Sequence, residues 1–120
     1  MYELYVTGCE RINDVTHMRN LKVLHACYNC AIDQKGITGL NLIKFICNGN
    51  GKFYDVSFMR NLKILNALKT KIDQNGIRGL DLIEFEYDKD KITDVSFMKN
   101  LVKGEILTNL RRRERKKDVK

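Results

Sequence analysis

Ile92-Thr93-Asp94-Val95-Ser96-Phe97-Met98-Lys99-Asn100-Leu101 recurs in nearly the same words at Phe53 to Leu62 and, more loosely, at Ile12 to Leu21. A second phrase alternates with it: Ile32-Asp33-Gln34-Lys35-Gly36-Ile37-Thr38-Gly39-Leu40 is matched by Ile72-Asp73-Gln74-Asn75-Gly76-Ile77-Arg78-Gly79-Leu80. Self-similarity at a short period marks a stacked repeat, in which one coil cannot bury its own apolar face and gains a core only from its neighbours. We refer to the first wording as the A phrase and to the second as the B phrase.

Between these phrases the pattern L-x-x-L-x-L-x-x-N is recovered six times, with first positions at Met1, Leu21, Leu40, Leu62, Leu80 and Leu101 and spacings of 20, 19, 22, 18 and 21 residues. Each copy reads as a short strand with alternating side chains. Six parallel strands about 4.8 Å apart make a stack on the order of 25 Å long. The ninth position lies inside a turn, where an amide can satisfy free backbone groups. Asn29, Asn48 and Asn109 occupy it, with Cys9, Thr70 and Asp88 as substitutes. In the A phrases, apolar residues step by three (Ile12, Val15, Met18, Leu21; Phe53, Val56, Met59, Leu62; Ile92, Val95, Met98, Leu101). That spacing predicts a short 3₁₀ or one-turn helix on the convex side, with Asp14, Asp55 and Asp94 as N-caps. The B phrases carry Gly36, Gly39, Gly76 and Gly79, which suit left-handed or tight backbone, and are expected to be loop with at most one short turn.

The alternating phrases resemble leucine-rich repeat proteins, and the Ile-x-Asp-Val-Ser-x-Met-x-Asn-Leu wording resembles the short internalin-type repeat. The alternation of two wordings is similar to the leucine-rich repeat proteins encoded by giant viruses that infect amoebae. The resemblance spans residues 1–109. It implies an α/β solenoid with a parallel β-sheet of about six short strands on the concave face, and turns and short 3₁₀ or one-turn helices on the convex face. It also implies a viral protein at work inside a host cell. No N-terminal cap is recognisable, Met1 falls inside a motif and Gly104 replaces an apolar residue of the last strand, so self-association through uncapped ends, or a fragment without independent function, is a further reading.

The formal charge of +7 divides unevenly along the chain. Residues 110–120 hold seven Lys/Arg against two acidic residues, whereas the other 109 residues carry 15 Lys/Arg against 13 Asp/Glu. The organisation is therefore a nearly neutral repeat body, 1–109, followed by a basic tail, 110–120. The run Arg111, Arg112, Arg113, Arg115, Lys116, Lys117 can contact nucleic acid or serve nuclear import, or it is a solvated end, since no aromatic residue interleaves it. The 43% apolar content fits a folded chain. No run is long enough to span a membrane and no signal-peptide pattern opens the sequence, so an intracellular location, in the host cytoplasm, is expected.

On the predicted strands, positions three, five and seven face away from the core and form rows across the coils. The third-position row reads Glu3, Val23, Leu42, Ile64, Leu82, Lys103; the fifth reads Tyr5, His25, Lys44, Asn66, Glu84, Glu105; the seventh reads Thr7, Cys27, Ile46, Leu68, Glu86, Leu107. An apolar strip beside a graded polar row is the composition of a protein-binding surface, although such residues also serve simply to pack the sheet. The predicted contact residues for a protein partner are Val23, His25, Leu42, Lys44, Ile64, Asn66, Leu82 and Glu84. Cys27-x-x-Cys30, with Cys9, Cys47, His17 and His25, invites a zinc reading, but the repeat register sends these side chains in different directions, and no second CxxC follows. The cysteines read as free thiols, and no metal or cofactor is expected. No nucleophile, base and orienting acid recur at a spacing that would unite them, and no glycine-rich phosphate loop follows a strand, so the expectation is a non-catalytic chain.

Overall fold

A strand three residues long commits only its central side chain to the interior, so the register of these central residues defines the core. The computed structural model describes residues 2–28 and 30–105, the last three by their backbone; the ninth-position residues Asn29 and Asn109 and the basic tail lie outside the described residues. Strands β1 (Glu3–Tyr5), β2 (Val23–His25), β3 (Lys44–Ile46), β4 (Ile64–Asn66), β5 (Glu84–Glu86) and β6 (Lys103–Glu105) pair in parallel and in chain order. The chain is thus a parallel-strand solenoid, one strand per coil. Leu4, Leu24, Phe45, Leu65, Phe85 and Gly104 share one row of the sheet. Leu24, Phe45, Leu65 and Phe85 are fully buried within it.

This register corrects the predicted one in two coils. Leu42, not Leu40, is the counterpart of Leu21, and Leu82, not Leu80, that of Leu62. First positions at Leu21, Leu42, Leu62, Leu82 and Leu101 are spaced by 21, 20, 20 and 19 residues, more evenly than the predicted frame. Leu42 and Leu82, predicted on the partner-binding face, are both 0% exposed in the core. The frame slipped because leucine stands at both i and i+2 (Leu40 and Leu42, Leu80 and Leu82), and all four are buried: Leu40 and Leu80 close the preceding convex turn. The backbone marks the same period independently, because Gly8, Tyr28, Gly49 and Lys69 all have positive φ at one repeat position. The ninth-position residue of the third coil is accordingly Asn50. It is buried, and its amide donates to the Ala26 carbonyl at 3.0 Å while its oxygen accepts from the Lys52 amide at 3.0 Å.

The helical segments also fall elsewhere than expected. The A phrases are strings of tight turns, in which the amide of Met18 donates to the Val15 carbonyl and that of Leu21 to the Met18 carbonyl, with the same pair of bonds at Val56, Met59 and Leu62 and at Val95, Met98 and Leu101. The step of three does aim their apolar side chains inward: Phe53, Val56, Met59 and Leu62 are 0% exposed. Asp14, Asp55 and Asp94 are turn formers rather than helix caps. Each accepts both the amide and the hydroxyl of the residue two ahead (Thr16, Ser57, Ser96) at 2.6–2.9 Å. The helical turns among the described residues are two 3₁₀ segments in the B phrases, Lys35–Ile37 and Gln74–Ile77. The carboxylates of Asp33 and Asp73 stabilise them by accepting the amides of Gly36 and Gly76, both at 3.1 Å.

The two phrases interlock. The carbonyl of Gly36 accepts the Val15 amide and that of Gly76 accepts the Val56 amide, which ties each B phrase to the A phrase before it. A Cβ at Gly36 would lie 2.4 Å from the Asn13 carbonyl oxygen, and one at Gly76 would lie 2.3 Å from that of Tyr54, so close backbone approach excludes every side chain there. Towards the following A phrase, the Gln34 side chain donates to the Asp55 carbonyl at 2.7 Å and accepts the amides of Tyr54 and Asp55 at 2.9 and 3.1 Å. Gln74 repeats this on Thr93 and Asp94, donating at 2.7 Å and accepting at 3.0 and 3.1 Å.

Gly76→Ala should therefore separate two coils and cost about 2–3 kcal/mol, read as a fall in the denaturant midpoint. Gly51→Ala, where an added Cβ meets nothing within 4 Å, should leave the midpoint nearly unchanged, and equal effects of the two would contradict the interlock.

Candidate binding face

With the register set by the strands, two rows of side chains leave the outward face of the sheet. One reads Glu3, Val23, Lys44, Ile64, Glu84 and the other Tyr5, His25, Ile46, Asn66, Glu86. Of the predicted contact residues, Val23, His25, Lys44, Ile64, Asn66 and Glu84 are on this face, and Leu42 and Leu82 are beneath it in the core. Lys44 and Glu84 share a row with Val23 and Ile64, not with His25 and Asn66 as predicted. Charged and apolar residues consequently alternate along the first row instead of forming a continuous apolar strip.

The face is hollowed over β3, β4 and β5. A hollow of about 170 Å³ is lined there by Lys44, Ile46, Ile64, Asn66, Glu84 and Glu86, with the edges of Leu65 and Phe85 as its floor. Its apolar centre is Ile46 and Ile64, both half-buried. Lys44 stands on one side and Glu84 on the other, two strands away.

At the N-terminal end of the face, the rings of Tyr5 and His25 stack with centroids 4.0 Å apart and planes 15° from parallel. The Tyr5 hydroxyl donates to the Glu3 carboxylate, which together with that negative charge holds the phenol above its ordinary value. His25 Nε2 is buried and has no hydrogen-bond partner, and the nearest Glu3 oxygen is 3.7 Å away. Burial first, and then the positive charge of Lys44, hold His25 below its ordinary value of 6.5, against the opposing pull of Glu3. The imidazole is thus neutral at pH 7, so the 3.7 Å approach to Glu3 is not a formed ion pair.

An outer row was missed in the sequence. Tyr2, Lys22, Ile43, Lys63, Ile83 and Val102 are tied coil to coil by main-chain bonds beside the strands. Ile43 and Ile83, which the predicted frame puts at the inward fourth position of its pattern, are each 38% exposed, and Val102 is 82% exposed. Even 20-residue spacing was the signal that could have placed them. Large apolar residues occupy this row in coils one, three and five, and lysines occupy it in coils two and four.

Of the cysteines, Cys27 was predicted to face outward but is 7% exposed, its thiol donating to Asn48 Oδ1 at 3.1 Å. Cys30 and Cys47 are fully buried, and burial pushes both thiols up, that of Cys47 well above its ordinary value. Backbone amides of Arg11 and Ile12 draw the Cys9 thiol down. Among the described residues there is no group of three His, Cys, Asp or Glu side chains arranged to hold a metal ion, and no helix long and apolar enough to cross a membrane. No family model matches the chain, and neither a curated protein nor a solved structure matches it.

The depressed His25 value carries a sign. The unfolded chain takes up the proton first, so the contribution of His25 to stability is complete above pH 6.5 and is lost as pH falls from there toward the folded-state value. Comparing urea midpoints of the natural chain and His25→Asn between about pH 7.5 and 5.5 should show a steeper acid-side decline for the natural chain. Parallel curves would mean that burial does not control this imidazole.

Proposed function

We propose that this chain is a non-catalytic leucine-rich repeat scaffold that binds a protein partner through the outward, concave face of its sheet. The leucine-rich reading is supported by the corrected frame: Leu21, Leu24, Ala26, Asn29; Leu42, Phe45, Cys47, Asn50; and Leu62, Leu65, Ala67, Thr70 follow one pattern at even spacing. The observation that carries the binding reading is the hollow over β3 to β5, where Ile46 and Ile64 form an apolar centre between Lys44 and Glu84. Apolar anchors ringed by fixed charges of opposite sign supply both adhesion and orientation for an incoming segment. Such a segment would present an acidic group toward Lys44 and a basic one toward Glu84. Asn66 lines the same hollow, and Val23 and His25 on β2 extend the contact on the Lys44 side.

The basic run from Arg111 to Lys117 supports a second reading, electrostatic attachment to nucleic acid by the tail, with the repeat body as carrier.

Affinity capture from a host-cell lysate at moderate salt separates the two. The chain carrying Ile46→Glu and Ile64→Glu should lose a discrete partner by at least about tenfold and still melt cooperatively, and the chain without residues 110–120 should retain it. Retention by the double variant would sink the scaffold reading; capture that follows the tail and disappears with nuclease would establish the second.

A further inference from the structure

We propose that the convex face carries a nucleotide-binding site, in which the base of a phosphorylated nucleoside stacks on the Phe97 ring and its phosphate lies between the guanidinium groups of Arg60 and Arg78. The repeat brings these groups together. Phe58, Arg78 and Phe97 each stand four residues ahead of the first-position leucine of a coil (Leu62, Leu82, Leu101), so ring, guanidinium and ring hold one position on three successive coils. Phe58 and Phe97 are 37% and 39% exposed, unlike the phenylalanines of the core.

Beside Arg78 the surface opens into a hollow of about 480 Å³, lined by Gln74, Asn75, Arg78, Gly79 and Phe97, with no carboxylate among them. Arg78 is fixed at its edge, where Nη1 donates to the Asn75 carbonyl at 2.7 Å. Arg60 reaches the same place from the preceding coil. Its guanidinium lies against Gly79, with Nη1 2.9 Å from the point a Cβ would occupy, and the positive φ of Gly79 disfavours a side chain there as well. Among the described residues neither arginine has an ion-pair partner. Asp55 and Asp73 border a separate hollow that Arg78 also lines, and their carboxylates are bonded to the turns at Ser57 and Gly76.

Two unpaired guanidinium groups that converge on one glycine form a receptor for an oxyanion, which takes parallel hydrogen bonds from each. An exposed ring on an uncharged hollow suits a flat π system. The Asn75 side chain, exposed and without a hydrogen-bond partner among the described residues, supplies a donor and an acceptor for the edge of that system. A phosphate joined to a planar, hydrogen-bonding ring is the chemistry of a nucleotide.

The fold does not require these residues. In the earlier B phrase Lys35, Thr38 and Gly39 take the places of Asn75, Arg78 and Gly79, and a 3₁₀ segment forms all the same. A Cβ at Gly39 would meet nothing within 4 Å, so Arg19, the counterpart of Arg60, does not cover it.

Amide chemical shifts of the full chain test the assignment. Adenosine monophosphate should move the amides of Asn75, Arg78, Gly79 and Phe97 along saturable curves. Inorganic phosphate, adenosine and phenyl phosphate each lack part of the ligand and should bind at least about tenfold more weakly. Arg78→Thr installs the residue that the earlier phrase uses in the same turn, so the variant should fold as the natural chain does and lose saturation. Phe97→Ala should weaken binding by about tenfold. Hexa-adenylate separates the two sources of the ligand: tighter binding at these amides, with shifts spreading to Phe58, identifies a strand, equal affinity identifies a free nucleotide, and both support the site. Contacts made only by the basic run from Arg111 to Lys117 would leave these amides unmoved. Phosphate or phenyl phosphate binding as tightly as the nucleotide, saturation that survives both substitutions, or no movement from Asn75 to Gly79 with either adenylate would overturn the proposal.

Discussion

The backbone at the convex corners of this solenoid bonds to itself only in part, and the groups left over must be met by a neighbouring coil. Here the demand is met by a glutamine side chain, which presents a donor and an acceptor in one plane and so answers a carbonyl and two adjacent amides at once. On the other side of the same phrase, a glycine with no room for a Cβ delivers its carbonyl to the preceding coil. These two devices belong to one wording, and what they grip belongs to the other. Coils of two kinds therefore alternate, and the outward row Glu3, Val23, Lys44, Ile64, Glu84 alternates with them between charged and apolar residues.

Much of this was legible in the sequence because repeats announce themselves: two wordings, each recurring at about forty residues, specified a parallel solenoid without any helix or strand propensity being decisive. The error was local and had a physical source. Leu40, Leu42, Leu80 and Leu82 are all buried, two closing a turn and two opening a strand, so hydrophobicity could not say which pair set the frame. In these two coils the outward residues shifted by two positions as a result, and Ile43 and Ile83 were placed in the core. That the A phrases form separate tight turns and not a 3₁₀ segment was illegible for a different reason. A step of three apolar residues describes a 3₁₀ segment and a chain of separate tight turns equally well, and only the hydrogen bonds of Asp14, Asp55 and Asp94 to the hydroxyls two residues ahead distinguish them.

The interior also shows how a narrow core absorbs polar atoms. Asn50 reaches the Ala26 carbonyl, the Cys30 sulfur and the Ile32 carbonyl of the preceding coil, while the Cys47 thiol donates to the Asn66 carbonyl of the next. Thr70 does the same work within its own coil, accepting the Ile72 amide and donating to the Ala67 carbonyl. The buried thiols are thus small apolar groups with a weak donor, suited to a column where Ala26 and Ala67 occupy the equivalent place of Cys47. Between the sheet and the convex wall, Phe45 and Phe53 meet edge to face with ring centroids 5.1 Å apart and fill the interior of their coil.

The glutamine grip also constrains how such a gene can change length. Losing or gaining one coil would bring like against like, leaving a glutamine facing another B corner or an A corner with no side chain to close it. Losing or gaining a pair preserves every junction. The heritable unit of this architecture is therefore a segment of about forty codons, and recombination between copies out of step by twenty would be removed by misfolding, while a shift of forty would pass into the folded repertoire unnoticed.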